Sequence, residues 1–223
     1  MLPEILLSCP LFDGIEPENL SAMLSCLGAR TRAAQKGEIL LAEGCRAQDV
    51  GILLSGRAQL IRTDYYGNRS IMLSIDPGQL FGESFACART EYLPVSVAAV
   101  EACEFMLIDC RRILSACTNA CSFHSRVIFN LLQIVAEKNI ALSQKAIITG
   151  QRTTREKLMS YLLLQAKQND SARFTIPYDR QGLADYLEVD RSGLSAEMSK
   201  LKKEGVLDYY KNEFHLLKDS AGV

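Results

Sequence analysis

What the chain lacks already narrows its role. Its 223 residues contain no tryptophan and only two histidines, His124 and His215. They contain no Gly-x-Ser-x-Gly, no P-loop and no His-Glu-x-x-His, so no nucleophile–base pair or metalloprotease helix announces a catalyst. The chain is expected not to be an enzyme. No apolar run approaches the roughly 18 residues that a membrane-spanning helix needs. The opening Met-Leu-Pro-Glu has no basic stretch leading into an apolar one, so no secretory signal is expected. Nor is there an excess of charge: 25 Lys and Arg face 26 Asp and Glu, a formal net charge of −1. Wholesale attachment to nucleic acid or to an anionic membrane is therefore not written into the composition, and any nucleic-acid site has to be local. The chain reads as soluble and cytoplasmic, with no membrane partner.

What is present is ordinary globular material. Hydrophobic residues make up 48% and charged residues 23%, which excludes disorder and coiled-coil rods. The length fits one large domain or two small ones. Eight cysteines are an even number, but disulfide frameworks belong to short secreted chains, so buried reduced thiols are expected here.

The texture changes along the chain. Residues 1–30 hold short amphipathic helical pieces, with Leu20, Met23, Leu24 and Leu27 at helical spacing after Pro17. Residues 31–110 break into short apolar runs cut by glycines, such as Val50-Gly51-Ile52-Leu53-Leu54 and Phe105-Met106-Leu107-Ile108. Such runs predict a small all-β barrel or roll, with Tyr65-Tyr66-Gly67-Asn68 as a hairpin tip. From Arg111 to Ala146 no Gly or Pro interrupts a helical pattern. Apolar residues there occupy more than one face. This predicts a long helix that covers the roll on one side and meets a second copy on the other, through Ile128, Leu131, Leu132, Val135 and Leu142. Gly150 is a hinge candidate. Residues 151–223 carry 12 basic and 11 acidic residues, so the division leaves almost no charge asymmetry.

Residues 179–205 carry the sharpest signal. Two short helices fit near 179–187 and 191–204, with Asp179 and Asp190 as N-caps and Gly205 as a stop. Leu183, Ala184 and Leu187 can pack against Leu194, Met198 and Leu201. That is a helix-turn-helix, the unit that places its second helix in a DNA major groove. The free face offers Arg191, Ser192, Ser195, Ala196, Ser199, Lys202 and Lys203, with Arg180 and Gln181 at the start of the first helix. Arg reads guanine O6 and N7, Ser and Ala permit close approach, and Lys suits phosphates. The bland alternative is an αα-hairpin with a solvated charged face. Against it stands the strand–turn–strand pattern of Val206 to Leu217, which makes the unit a winged helix.

The order of roll, long helix and winged helix resembles the CRP/FNR family of bacterial transcription regulators. The matching residues are Lys36-Gly37-Glu38-Ile39-Leu40-Leu41-Ala42-Glu43-Gly44, Leu53-Leu54-Ser55-Gly56-Arg57, Pro77-Gly78-Gln79-Leu80-Phe81-Gly82-Glu83, and Arg191 through Gly205. The resemblance implies an α+β chain. A double-stranded β-roll sensor occupies 1–118, a dimerisation helix 119–147 and a DNA-binding winged helix-turn-helix 148–223. It also implies a homodimer on a palindromic double-stranded DNA site, with RNA polymerase as a further candidate partner. The alternative is a ligand-binding or protein-interaction module without sequence-specific DNA binding.

Four departures qualify that reading. Cyclic-nucleotide binders of the family hold phosphate with a cassette that opens Gly-Glu and closes on Arg. Here Gly82, Glu83 and Ser84 open it, but Leu93 and Pro94 stand at its end, just before Ser96. These six are the candidate effector residues. Without the guanidinium, and with no N–H on Pro94, a buried phosphate is costly, so the effector is expected to be an unidentified small molecule or a redox signal other than cyclic AMP. The N-terminal cysteine cluster of oxygen sensors is not matched by Cys9 and Cys26. Cys117, Cys121 and His124 share one helix face and are possible soft-metal ligands, but three ligands on one face seldom close a tetrahedral site unaided. No metal is assigned, and the sequence names no cofactor beyond an unidentified small-molecule effector. Finally, Ala196 stands near where many members carry a second base-reading Arg, and Glu188 occupies a turn where Gly is frequent.

Overall fold

The computed structural model describes residues 3–114 and 122–217. The chain divides into two compact units, one reaching to residue 141 without 69–71, the other running from 142 and including 69–71. The first unit opens with two 3-10 turns, Glu4–Ser8 and Pro10–Phe12, and helix α1 (Pro17–Cys26). Then come β1 (Arg30–Ala34), β2 (Ile39–Leu41), β3 (Asp49–Ser55), β4 (Ala58–Thr63), β5 (Arg69–Ile75) and β6 (Leu80–Phe81). Helix α2 (Glu83–Cys87), β7 (Ser96–Ala99), β8 (Cys103–Asp109) and α3 (Cys110–Leu114) follow. The long helix α4 (Ser122–Thr149) ends in the second unit.

Strand order is β1-β8-β3-β6 in one sheet and β2-β7-β4-β5 in the other. These are the two faces of the β-roll. The near-continuous apolar runs of β3 and β8 have a reason in the two-residue period of a strand. On one side, Val50, Ile52, Leu54, Met106 and Ile108 join a core with α1 and with Val127, Leu131 and Ile134 of α4. On the other, Leu53, Phe105 and Leu107 join the roll interior with Leu60 and Val97 of the facing sheet. A strand buried on both sides has no polar face to show, so alternation vanishes from its sequence.

Gly51 sits on β3, on the side that faces the roll interior. A Cβ there would lie 2.1 Å from the Phe81 ring, so the glycine makes room for the aromatic rather than for a turn. Phe81 in turn packs edge-on against Phe105 at 6.0 Å. At the hairpin tip between β4 and β5, Asp64 accepts from the amides of Tyr66 and Asn68 and from the Asn68 side chain. Gly67 there has a φ of 84°, as the expected turn requires.

Helix α4 shows two faces. Val127, Leu131 and Ile134 are buried in the roll unit's own core, and Asn130 donates to the carbonyls of Leu11 and Asp13, tying the N-terminal turns to the helix. The periodicity puts Leu131 and Val135 on the partner-facing side. The structure corrects this: Leu131 is buried and Val135 packs against the core, because both lie on the same side of the helix as Val127. Leu142 is half-buried, in the stretch belonging to the second unit. The exposed apolar residues are Ile128, Phe129, Leu132, Ile140 and Ile147. Phe129, Leu132, Ala136, Ile140, Ser143 and Ile147 fall on one stripe, all exposed.

The second unit adds α5 (Thr154–Gln168), β9 (Arg173–Thr175), α6 (Arg180–Leu187), α7 (Arg191–Lys203), β10 (Leu207–Tyr210) and β11 (Glu213–Leu216). Thr153 and Glu156 form a reciprocal capping box that starts α5. The three strands pair antiparallel in the order β10-β11-β9. Among the described residues no helix is long and apolar enough to cross a membrane.

The fit at Gly51 gives a test. Gly51→Ala should destabilise the chain by about 1–3 kcal/mol, the usual cost of overpacking a filled interior. Urea denaturation should read this loss, and the loss should shrink when Phe81 is first shortened to Leu.

Candidate functional site

The helix-turn-helix is built as its sequence dictates. The Asp179 carboxylate accepts from the Gly182 amide at 2.7 Å and the Asp190 carboxylate from the Gly193 amide at 2.8 Å, so each aspartate caps its helix. Leu183, Ala184 and Leu187 of α6 and Leu194, Met198 and Leu201 of α7 are all buried. Ala184 is completely buried, the small residue that lets the two helices approach. Gly205 takes a φ of 67° just after α7.

Glu188 accepts the strained turn rather than avoiding it. It sits at φ 55° and ψ 53°, a left-handed conformation that costs a non-glycine residue about 1–2 kcal/mol. Its surroundings offset that cost. The buried Lys145 ammonium pairs with the Glu188 carboxylate at 3.4 Å, and Lys157 donates to its carbonyl at 3.3 Å. Lys145 also lies 5.3 Å over the Tyr186 ring. Helix α7 is further held by Arg155 of α5, which reaches Glu197 at 3.3 Å and Glu204 at 2.6 Å.

With its other side locked, α7 leaves one face free. Arg191, Ser192, Ala196, Ser199, Lys202 and Lys203 are exposed and Ser195 is half-buried. Several of these groups are already oriented. Ser195 donates to the Arg191 carbonyl and Ser199 to the Ser195 carbonyl, both at 2.9 Å, so their oxygens face outward as acceptors. The Ser192 hydroxyl donates to the Asp190 carboxylate. Lys202 pairs with Asp208 of the wing at 2.5 Å and lies over Tyr209 at 5.3 Å. Arg180, half-buried, rests on Met198 and over the Tyr209 ring at 5.0 Å. Burial lowers its guanidinium pKa, Tyr209 opposes, and nearby Arg191 lowers it further. Gln181 is exposed and bonds Asp185 at 2.7 Å. The wing adds groups that sequence reasoning misses: Tyr210 is 68% exposed, and Lys211 lies over its ring at 5.4 Å. Tyr209-Tyr210-Lys211-Asn212 between two apolar strands is the available signal.

In the roll, the six effector candidates fall into two groups with separate partners. Gly82 takes a φ of 78° and starts α2. Glu83 is 3% exposed, and its carboxylate pairs with Lys138 of α4 at 3.0 Å, while Ser84 donates to it at 3.2 Å. Lys138 also donates to the Leu80 carbonyl. The second Glu83 oxygen, Oε2, is buried without a hydrogen-bond partner among the described residues. Leu93 is buried, and both of its backbone groups are taken: its N–H donates to Cys45 and its carbonyl accepts from Gly44. Pro94 is exposed, and the Ser96 hydroxyl accepts from the Glu43 amide at 3.0 Å. Of the metal candidates, Cys117 and Cys121 lie outside the described residues. His124 is buried, with Nδ1 unpartnered among the described residues.

Similarity to known proteins follows the same two units. Residues 31–119 match the family described as "Cyclic nucleotide-binding domain" and residues 156–221 the "Crp-like helix-turn-helix domain". The chain is 25% identical over 198 residues to the cyclic AMP receptor protein of Thermus thermophilus, covering 89% of this chain and 88% of that one. It is 23% identical over 185 residues to the transcriptional activator protein FnrL of Cereibacter sphaeroides, covering 79% and 71%. Among solved structures, the c-di-GMP-responsive regulator CLP of Xanthomonas campestris superposes with a TM-score of 0.74 at 15% identity, over 92% of this chain and 100% of that one.

The Asp190 cap predicts a pH effect. The Ser192 hydroxyl and then the Gly193 amide hold its carboxyl below the ordinary 3.8. A folded pKa below the unfolded one contributes stability above the unfolded value, lost as pH falls through the folded one. The thermal midpoint should therefore drop more steeply between about pH 5 and about pH 3 in the wild type than in Asp190→Asn, which keeps a capping oxygen without the titration.

Proposed function

We propose that this chain, which belongs to the CRP/FNR family of bacterial transcription regulators, binds a palindromic DNA site as a cytoplasmic homodimer and answers a signal received in its roll. The working division is a sensor roll over 1–118, a dimerisation helix over 119–147 and a DNA-binding winged helix over 148–223. The observation that carries the reading is α7: capped at Asp190, buried along Leu194, Met198 and Leu201, and free along Arg191, Ser195, Ala196 and Ser199. Arg191 is the base reader. Arg180, Lys202 and Lys203 supply cations for phosphates, Gln181 lies beside them, and Ser192 orients through the cap. Two such helices on a two-fold axis read half-sites about 34–36 Å apart.

The copies pair along the exposed stripe of α4, through Phe129, Leu132 and Ile140, with Ile128 at its edge. Exposed apolar residues recurring along one side of a helix are the pattern a partner helix covers. Cyclic AMP does not fit the roll. No arginine stands at the end of the cassette, the Leu93 backbone is committed to Gly44 and Cys45, and Glu83 is already neutralised by Lys138. The orphan Oε2 of Glu83 suits an effector with a hydroxyl or amide donor and no phosphate. Ligand binding there biases the dimer between DNA-competent and incompetent forms. RNA polymerase is the partner such a regulator would meet at a promoter.

Selection of DNA sites from a random pool tests the reading. The wild type should enrich a palindrome and lose affinity steeply as salt rises. Arg191→Ala should lose sequence preference and remain dimeric; unchanged preference would remove α7 from the readout. Leu132→Glu or Ile140→Glu should give a folded monomer by sedimentation, whereas Leu131→Glu should unfold the roll unit. Cyclic AMP at millimolar concentration should leave the thermal midpoint unmoved, since a bound ligand stabilises the fold it binds.

A further inference from the structure

Six cysteines lie among the described residues, and their surroundings differ. Cys9 is buried and pushed up to about 11 by that burial. The Cys103 thiol donates to the carbonyls of Arg57 and Glu101 at 3.2 and 3.1 Å. Cys26 and Cys45 are exposed. Cys87 and Cys110 are unlike these, because each is the other's partner. Cys87 ends α2, Cys110 begins α3, and their Sγ atoms stand 3.6 Å apart. A disulfide needs about 2.05 Å between sulfurs, so the pair is about 1.5 Å from bonding distance. Cys110 is buried but lines a cleft of about 480 Å³ whose rim carries Arg46, Arg89 and Arg111. Cys87 is half-buried. The cleft reaches Cys110, whose sulfur is in contact with that of Cys87.

We propose that Cys87 and Cys110 are a redox-modification site that peroxide converts into an intramolecular disulfide. The Cys87 sulfur attacks one peroxide oxygen; the S–O bond forms, the O–O bond breaks and hydroxide leaves as water. Cys110 sulfur then attacks the resulting sulfenic sulfur; the S–S bond forms, the S–O bond breaks and a second water leaves. Two electrons pass from the thiols to the peroxide, and both thiol protons end in water. Cys87 is the attacking member, because it is half-buried while Cys110 is buried, and the thiol contact between them lowers the Cys87 pKa against the opposing effects of burial and Glu83. Cys110 is pushed up by the same contact and by burial, so it stays reduced until Cys87 is oxidised, and it gives its proton to the departing hydroxide as its sulfur attacks. Placement gives the link a purpose. Cys87 is one turn beyond Glu83 on α2, and Glu83 is the residue ion-paired to Lys138 of α4. Pulling Cys87 toward α3 therefore tugs the short helix that holds the long one.

Peptide mapping of the full chain tests this without reference to DNA. The reduced protein is treated with hydrogen peroxide, its free thiols are alkylated and it is cut with trypsin. Cys87 falls in the peptide 70–89, and Cys103 and Cys110 share 90–111. The expected result is a joined pair of these peptides, lighter than their sum by two hydrogens, reversed by dithiothreitol, with Cys103 alkylated. Cys87→Ser and Cys110→Ser should each abolish the link, and Cys103→Ser and Cys45→Ser should keep it. Three results would overturn the proposal: both thiols alkylated after peroxide, Cys87 driven to sulfinic acid without a link, or Cys87 joined to another cysteine. Should Cys87→Ser fail to fold, the wild-type map alone decides.

Discussion

Two adjacent strands with no solvent-facing side carry the whole first unit. Because successive side chains of β3 and β8 point to opposite faces, one wall serves two cores at once. The roll interior and the helical layer cannot be varied independently. A change of volume at Leu53 or Phe105 is felt inside the roll, and one at Ile52 or Met106 is felt under α4. Gly51 is the place where this sharing leaves no room for a side chain. The strand edges then fix where β6 ends and α2 begins, and so where Glu83 is placed.

Glu83 is the electrostatic counterpart of that wall. A carboxylate this deeply buried is tolerated because Lys138 and Ser84 meet one of its oxygens. Removing one partner of such a pair leaves an uncompensated charge, at about 3–5 kcal/mol. The pair joins the β6–α2 turn of the roll to the long helix, so a change at α2 reaches α4 through a contact that is expensive to break. Glu83 is thus satisfied on one oxygen and buried without a partner among the described residues on the other.

Much of this architecture is legible in the amino-acid order. Glycine spacing marks the roll, Asp179 and Asp190 mark the helix starts, and the small Ala184 marks the crossing. The family resemblance extends over both units because its motifs sit at turns and caps, where backbone geometry restricts the choice of residue. Contacts between elements distant in sequence leave no such mark. Nothing near Glu188 announces that Lys145, 43 residues earlier, makes its left-handed turn acceptable. Nothing near Cys87 announces Cys110. Leu131 and Val135 are misplaced by periodicity because it reveals that a helix has two apolar faces without saying which one its own domain covers. The wing's Tyr210 and Lys211 escape notice because an exposed aromatic in a hairpin carries no periodic signal.

The exposed stripe on α4 has a geometric consequence. Phe129 and Ile140, Leu132 and Ser143, and Ala136 and Ile147 are each separated by the same interval, and the steps along the stripe run three, four, four. That is an eleven-residue repeat, about 3.67 residues per turn, slightly more than the about 3.6 of a straight helix. A heptad seam drifts the other way and winds its helices left-handed. Two copies of α4 joined along this stripe would instead lie almost straight beside each other, with a slight right-handed turn. The two Ser143 positions would face across a seam that is otherwise apolar, a polar step at the level where the helix passes from one unit to the next.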